Sequence, residues 1–502
     1  MSDGPVLVID AGSSRLRCHL FDSDGQIVST SAAEWPYLDE PDASSLAKAF
    51  DIRLLWQAVA KAIKQCVHDA PAHVGTVACV AVTSQRQAVV FMDSNNDEIY
   101  AGPNMDLRAV FEGAAIDESH REQVYAVTGH VPSFLFAPAK LRWFQEQQPD
   151  AYARIANVLT LADWIAWRLT GVLTNEITLA GEAGLLDING RHWCNGLLGE
   201  LGLDQQPNRL VNTADIVGRV IPDVALQLGF EKNVPVTITG ADSQCGLLGM
   251  GVAQPGHISI VAGWSAPVQM VTARPTFSKQ GRTWAGCHLL SDLWVAESSA
   301  GATGSAYQWL ADTMYGDTKD PFAKMSSEAA EAAPGSNGAV SMMGNGAMNM
   351  SALGMTYGGI MFPVPLTSAT GIIDRGHLTR AALESTACAI RANIEQLEAL
   401  TGDTAKTISL GGGMTRSELF ERILVDILGR DILVAPVPDV TALGAYLCGR
   451  VAIGDFGSLS EAAKWASSMM RPLKANVSDA AEYEEFYQDW TRLSDLLGQI
   501  EL

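Results

Sequence analysis

The segments VLVIDAGSSRLRCHLFDSDGQIVS, Val6 to Ser29, and HISIVAGWSAPVQMVT, His257 to Thr272, follow one scheme: an apolar strand, a small-residue turn and a second strand. A buried strand asks for apolar and β-branched side chains, which Val6, Val8 and Ile9 supply, and Asp10 falls where that strand leaves its sheet. An acid there faces a ligand crevice. Gly12, Ser13 and Ser14 carry so little side chain that an anion can approach their backbone N–H groups. Gly263, Trp264 and Ser265 form the matching turn in the second segment. One hairpin with a polar tip is a common structural element. Two of them, one in each half, point to a duplication that holds a single anionic ligand between its halves.

A chain of 502 residues with 47% apolar content is too long for one core and suits two soluble domains, for which residues 1–245 and 246–502 are the expected extents. The net charge of −22 argues against nucleic acid and anionic membranes as partners. A phosphate-bearing ligand must then rely on local amides, helix N-termini and a cation rather than on a long-range field. The 8 cysteines are scattered without a CxxC pair, which predicts buried reduced thiols, and the 9 histidines show no metal or nucleophile spacing. The N-terminus lacks a basic segment followed by an apolar core, and no run reaches the ~20 apolar residues of a membrane span, so a cytoplasmic protein is expected.

Strands, helices and turns alternate as in a layered α/β protein. Leu54, Leu55, Ala58, Val59, Ala62 and Ile63 share one helical face ahead of a strand at Thr76 to Val82. A β-rich run at Val234 to Thr239 ends at Gly240, Ala241 and Asp242, before a helix from Ser243 to Met250. In the second half, Leu293 to Ala296 precedes Gly301 to Gly304 and the helical run SAYQWLADTMY. Thr407 to Leu410 precedes Gly411, Gly412 and Gly413, and the capping-box spacing of Thr415 and Glu418 predicts that the next helix begins there. The Gly-, Met- and Ala-rich stretch from Gly335 to Met361 reads as a connector in preference to a lid.

Asp10 and Asp242 both lie at the carboxyl ends of predicted strands. Phosphoryl transfer to an alcohol needs a carboxylate that accepts the hydroxyl proton, and Asp242 suits that task or, equally, a helix cap ahead of Ser243. With these residues in view, the chain resembles the FGGY family of carbohydrate kinases nearly end to end, on the two turns and on TGADSQCGLLGMG. The resemblance implies an α/β fold of two actin-like (ribonuclease H-like) domains around a cleft, and transfer of the γ-phosphate of ATP to a sugar or polyol hydroxyl. It implies Asp242 as catalytic base and Asp10 with Asp242 as the carboxylates facing Mg2+. An ordinary Asp pKa near ~3.9 leaves Asp242 ionised at neutral pH, where position counts for more than basicity.

The same resemblance assigns Gly12, Ser13, Ser14 and Arg17 to one phosphate motif and Gly263, Trp264 and Ser265 to another, with Trp264 standing where the family usually has Gly-Thr. Gly301, Gly304, Gly412, Gly413, Met414 and Ser417 fall on its adenosine segments, and no GxxxxGK[ST] loop occurs. Gln85, Arg86 and Gln87 resemble its polyol-binding turn, Gln244 lies beside the base, and Asp106 with Arg108 is either a sugar clamp or a structural salt bridge. Lys140, Leu141 and Trp143 match a family signature and read as a packing landmark.

The SQRQ turn has neither the Arg-Glu pair of glycerol kinases nor the Met-His pair of typical xylulokinases, while GPNMDLRA and TLADWIAWRLTG are similar to autoinducer-2 kinases. A pentulose-like ketose or a polyol is the expected acceptor, with linear dihydroxypentanedione as the alternative. An actin-like ATPase switch using water as acceptor is the competing class, and a homodimer is what the resemblance implies for assembly.

Overall fold

The computed structural model describes residues 4–500 apart from 42, 72–75, 204–206, 231–232, 353, 355–356 and 365–371. The first sheet is built from β1 (Val6–Ala11), β2 (Leu16–Phe21), β3 (Ile27–Ala33), β4 (Cys79–Ser84), β5 (Ile216–Arg219) and β6 (Pro235–Ala241), in the order β5-β6-β4-β1-β2-β3. The second is built from β7 (His257–Val261), β8 (Ser265–Thr272), β9 (Trp284–Cys287), β10 (Trp294–Ala302), β11 (Thr407–Gly411), β12 (Ile432–Val434) and β13 (Arg471–Leu473), in the order β9-β10-β8-β7-β11-β12-β13.

The duplication is visible in the pairing. β1 runs antiparallel to β2 and parallel to β4, which is parallel to β6. In the other half β7 runs antiparallel to β8 and parallel to β11, which is parallel to β12.

Six helices matter for the site: α1 (Ile52–His68), α2 (Asp242–Gly249), α3 (Gly304–Met314), α4 (Arg375–Thr401), α5 (Glu418–Leu428) and α6 (Val440–Ala452). β1 is apolar on both faces because both are covered. Leu7 and Ile9 pack with Leu55, Val59 and Ile63 of α1, while Val6 and Val8 pack with Leu443, Tyr446 and Leu447 of α6. A helix of the second half thus lies under the first sheet. It crosses α2 so closely that a Cβ at Gly444 would lie 1.8 Å from the Cys245 carbonyl oxygen. Residue 245, the expected boundary, falls inside α2 at this crossing.

Several local expectations shift. Leu54 is exposed rather than on the buried face of α1, and the following strand begins at Cys79 instead of Thr76. α5 begins at Glu418, capped by the Ser417 hydroxyl, which accepts the Phe420 N–H at 3.3 Å. Thr415 does not cap it, because its hydroxyl donates to the Gly412 carbonyl at 2.8 Å within the short 3-10 turn Gly413–Arg416.

In the Gly335 to Met361 stretch, Val340–Met342 pairs with Gly359–Met361, and Val340 and Met342 are buried in the core with α4; residues 353, 355 and 356 lie outside the described residues. All of Cys18, Cys66, Cys79, Cys194, Cys245, Cys287, Cys388 and Cys448 are buried free thiols. No helix among the described residues is long and apolar enough to cross a membrane.

Candidate active site

The register of the first sheet sets Asp10 beside Thr83 and Ala241 beside Ser84, so Asp10 and Asp242 emerge at the same sheet edge on either side of β4. Burial pushes Asp10 up to about 7, helped by Asp242, opposed by Arg17 with its Nη1 3.9 Å from Oδ2, and helped again by Asp439. Burial likewise pushes Asp242 up to about 6, against the pull of Arg86 and of the Ser243 N–H at 2.8 Å, with Glu182 and Glu297 adding to the rise. The ordinary carboxylate value expected from sequence is therefore corrected upward, because both groups leave water. Asp242 is the first residue of α2 and takes only its neighbour's N–H; its Oδ2 makes no bond among the described residues.

The first turn is fastened from behind. The Gly12 carbonyl accepts the Trp35 indole N–H at 2.7 Å and the Gln85 amide at 3.3 Å, and the Ser13 carbonyl accepts the Tyr37 hydroxyl at 2.8 Å. With the carbonyls held inward, the amides of Gly12, Ser13 and Ser14 donate to no described group and are available to an anion.

The second turn is fastened by the start of α3. The Gly263 carbonyl accepts the Gly304 N–H at 2.9 Å and the Thr303 hydroxyl at 3.2 Å, and the Trp264 carbonyl accepts the Ser305 N–H at 3.1 Å. A Cβ at Gly304 would lie 2.3 Å from the Gly263 oxygen, and one at Gly412 would lie 2.4 Å from the Ala262 oxygen. Close backbone approach, which only glycine permits, therefore brings Gly304, Gly412, Gly413 and Met414 to the Gly263 turn; the Met414 N–H bonds the Ala262 carbonyl at 3.0 Å. Gly301 sits apart from this contact, under the Gly344 carbonyl, 2.4 Å from where its Cβ would be. Trp264 is 63% exposed.

On the acceptor side the structure separates residues that look alike in sequence. Arg86 Nη1 bonds Glu297 of β10 at 2.7 and 2.8 Å and Glu182 at 3.2 Å, with the Trp284 ring 5.5 Å from the guanidinium. Glu182 also accepts the Gln244 amide at 2.8 Å and faces His130 Nε2 at 3.4 Å, while Glu297 accepts the Gln269 amide at 2.8 Å. Arg86, Gln244 and Asp242 therefore meet in one cluster that spans both halves.

Gln85 is buried and holds the first turn, its Oε1 accepting the Asn104 N–H at 3.1 Å. Gln87, at φ +60°, leaves its buried Nε2 without a partner, and its carbonyl accepts Lys140 Nζ at 3.3 Å. Asp106 lies away from the cluster and fully buried; Oδ1 accepts the Lys48 N–H at 2.8 Å, and Oδ2 takes Arg108 Nε at 2.7 Å and the Tyr100 hydroxyl. With Arg108 stacked on Tyr100 and Trp143, both Asp106 oxygens are occupied within a packed ion pair.

Sequence reasoning missed Glu182, Glu297, His130 and Asp439. One signal was present: Glu297 interrupts WVAESSAGA, an otherwise apolar and small-residue strand, and a charge in a buried strand asks for a partner. His130, one of the 9 histidines without metal or nucleophile spacing, lies in the cluster.

Comparison with known proteins places this geometry. Residues 5–249 match the N-terminal domain, and residues 258–453 the C-terminal domain, of the FGGY family of carbohydrate kinases. Autoinducer-2 kinase of Salmonella paratyphi A is 27% identical over 500 residues, covering 97% of this chain and 93% of the relative. A ligand-bound xylulose kinase from Lactobacillus acidophilus superposes with a TM-score of 0.85 at 17% identity, over 99% of both chains. A gluconate kinase from the same organism superposes with a TM-score of 0.84 at 17% identity, also over 99% of both. These structures share the fold of two actin-like domains.

Proposed function

Because the chain belongs to the FGGY family of carbohydrate kinases, and is thus a phosphotransferase acting on an alcohol group, we propose that Asp242 accepts the proton of an open-chain ketose hydroxyl as it attacks the γ-phosphate of ATP. The observation that carries this assignment is the free Oδ2 of Asp242 beside the Arg86 and Gln244 cluster. At pH 7 a carboxylate poised near 6 is mostly ionised and more basic than an ordinary Asp, so it suits late proton acceptance. The Gly12 to Ser14 amides approach the polyphosphate from one half, and the Gly263 turn with Gly304 and Gly412 to Met414 forms the nucleotide side of the other.

Mg2+ fits the carboxylate pair. Asp10 is forced toward its neutral form by burial and by Asp242, a strain a divalent cation relieves, and Mg2+ takes one or two carboxylates beside phosphate oxygens and water. Asp10 and Asp242 would hold it, and when bound it neutralises phosphate charge. Arg86 offers Nε and Nη2, which bond no described group, to acceptor oxygens.

A pentulose-like ketose is the first acceptor proposed. Linear dihydroxypentanedione is the second, supported by the end-to-end similarity to an autoinducer-2 kinase. ADP release measured across glycerol, erythritol, ribulose, xylulose, rhamnulose and dihydroxypentanedione tests both. ATP turnover that ignores every acceptor would instead support the switch reading.

A further inference from the structure

The cluster around Arg86 carries more negative charge than a sugar-binding arginine needs. Glu182 and Glu297 are each almost fully buried, yet both converge on the single nitrogen Nη1. His130 also borders Glu182: its Nδ1 faces the Thr128 carbonyl at 2.7 Å and its Nε2 lies 3.4 Å from the Glu182 carboxylate. Two buried carboxylates thus share one guanidinium, and Asp242 adds a third acid that feels the same Arg86 without forming an ion pair with it.

We propose that Glu182 and Glu297, held by Arg86, are specificity-determining residues that restrict the acceptor to uncharged ketoses or polyols and reject sugar acids. The inference rests on the reading of this cleft as the acceptor site. Arg86 is the cation of this cluster that a carboxylated acceptor could use, but two buried carboxylates already share its Nη1. An incoming aldonate could reach Nε and Nη2 only of a guanidinium whose charge Glu182 and Glu297 already balance, and it would be buried beside those two carboxylates and Asp242; like charges brought together in a desolvated site are strongly disfavoured. A carbonyl or hydroxyl oxygen meets no such penalty: either accepts from Nε and Nη2 of Arg86, and a hydroxyl also donates to the Asp242 carboxylate. The fold itself does not decide between these classes, since a gluconate kinase shares it.

The test compares kcat/KM, by ADP release, for a pentulose and the aldonate of the same chain length, in the wild type and in Glu182→Gln and Glu297→Gln. The ratio between the two acceptors is insensitive to the fraction of folded enzyme, so partial misfolding of a variant does not mimic the effect. The wild type is expected to prefer the pentulose by about 100-fold or more, and at least one variant to narrow that ratio by about tenfold, the effect of relieving one like-charge contact. An aldonate used as well as the pentulose by the wild type overturns the inference and leaves the kinase reading standing. A preference unchanged in both variants overturns the assignment to these glutamates. Absence of acceptor-dependent ADP release with every compound defeats the underlying kinase reading, and the inference with it.

Discussion

Aligned on their strands, the two turns read Ile9-Asp10-Ala11-Gly12-Ser13-Ser14 and Ile260-Val261-Ala262-Gly263-Trp264-Ser265. The duplication has kept the hairpin and changed both its amides and its side chains: the Gly12 N–H bonds no described group, while the Gly263 N–H donates to the Ser265 carbonyl at 2.9 Å. Where the first turn begins on a carboxylate, the second begins on Val261, and where the first has Ser13, the second has the exposed Trp264. They are also fastened differently, the first by Trp35, Tyr37 and Gln85 side chains and the second by the backbone of α3. The difference teaches that the carboxylate chemistry is one-sided. Asp10 and Asp242 belong to the first half, and Asp439 and Glu297 of the second half act on them as charge partners.

The largest effect should come from removing the proposed proton acceptor. Asp242→Asn is expected to lower kcat by about 10³-fold, within the range for losing a general base, while leaving the Kd for ATP within about threefold. ADP release and equilibrium nucleotide titration report the two quantities; normal turnover would end the assignment. In the wild type the acid limb of kcat/KM should fall below pH 6, since a protonated Asp242 accepts nothing, and an inflection near pH 4 would show that burial does not tune it.

Next, Asp10→Asn and Val261→Asp exchange the characters of the two turns. Asp10→Asn should lower kcat/KM for MgATP by about 100-fold, as expected when a metal-facing carboxylate is lost. It should also raise the Tm of the ligand-free protein above pH 7. Burial raises the Asp10 pKa from 3.8 to about 7, so its contribution to stability is full below pH 3.8 and is lost as the pH rises through 7. An unchanged Tm at pH 8 argues against that burial cost. Val261→Asp, placing a carboxylate against the apolar cluster of Leu247, Val271 and Val440, should cost about 1–3 kcal/mol in urea unfolding and gain no activity.

Gly304→Val attacks the fastening of the second turn alone. With the Gly263 oxygen 2.3 Å from the new Cβ, backbone must shift, and a loss of about 1–3 kcal/mol with a raised KM for ATP is expected. A KM for ATP that stays at the wild-type value would separate α3 from the nucleotide site. The smallest effect is reserved for Trp264→Thr, because a 63% exposed side chain away from the core contributes within about 0.5 kcal/mol of stability. If this variant raises the KM for ATP by about tenfold or more, the indole touches the nucleotide and the second turn is chemically richer than its shape suggests.

Much of this site is legible before folding. The β1 and β7 hairpins, the strand ends that place Asp10 and Asp242, and the Gly412 and Gly413 turn all follow from short-range patterns. The errors fall where a local rule competes with a distant contact. Thr415 has the spacing of a helix cap, but Met414 is tied to Ala262 from another strand, so the chain turns first and Ser417 caps the helix. Arg86 and Arg108 look equally suited to a sugar in sequence, yet one faces Glu297 across the halves and the other is enclosed by Tyr100, Trp143 and Asp106.

What the chain determined by itself were its strands, small-residue turns and the acids at strand ends, because hydrophobic period and backbone freedom act over a few neighbouring residues. Only the tertiary structure decided which charges meet. Glu182, His130 and Glu297 lie far apart in sequence, and their effect on Arg86 and Asp242 arises from burial and proximity, which exist only once both sheets have packed.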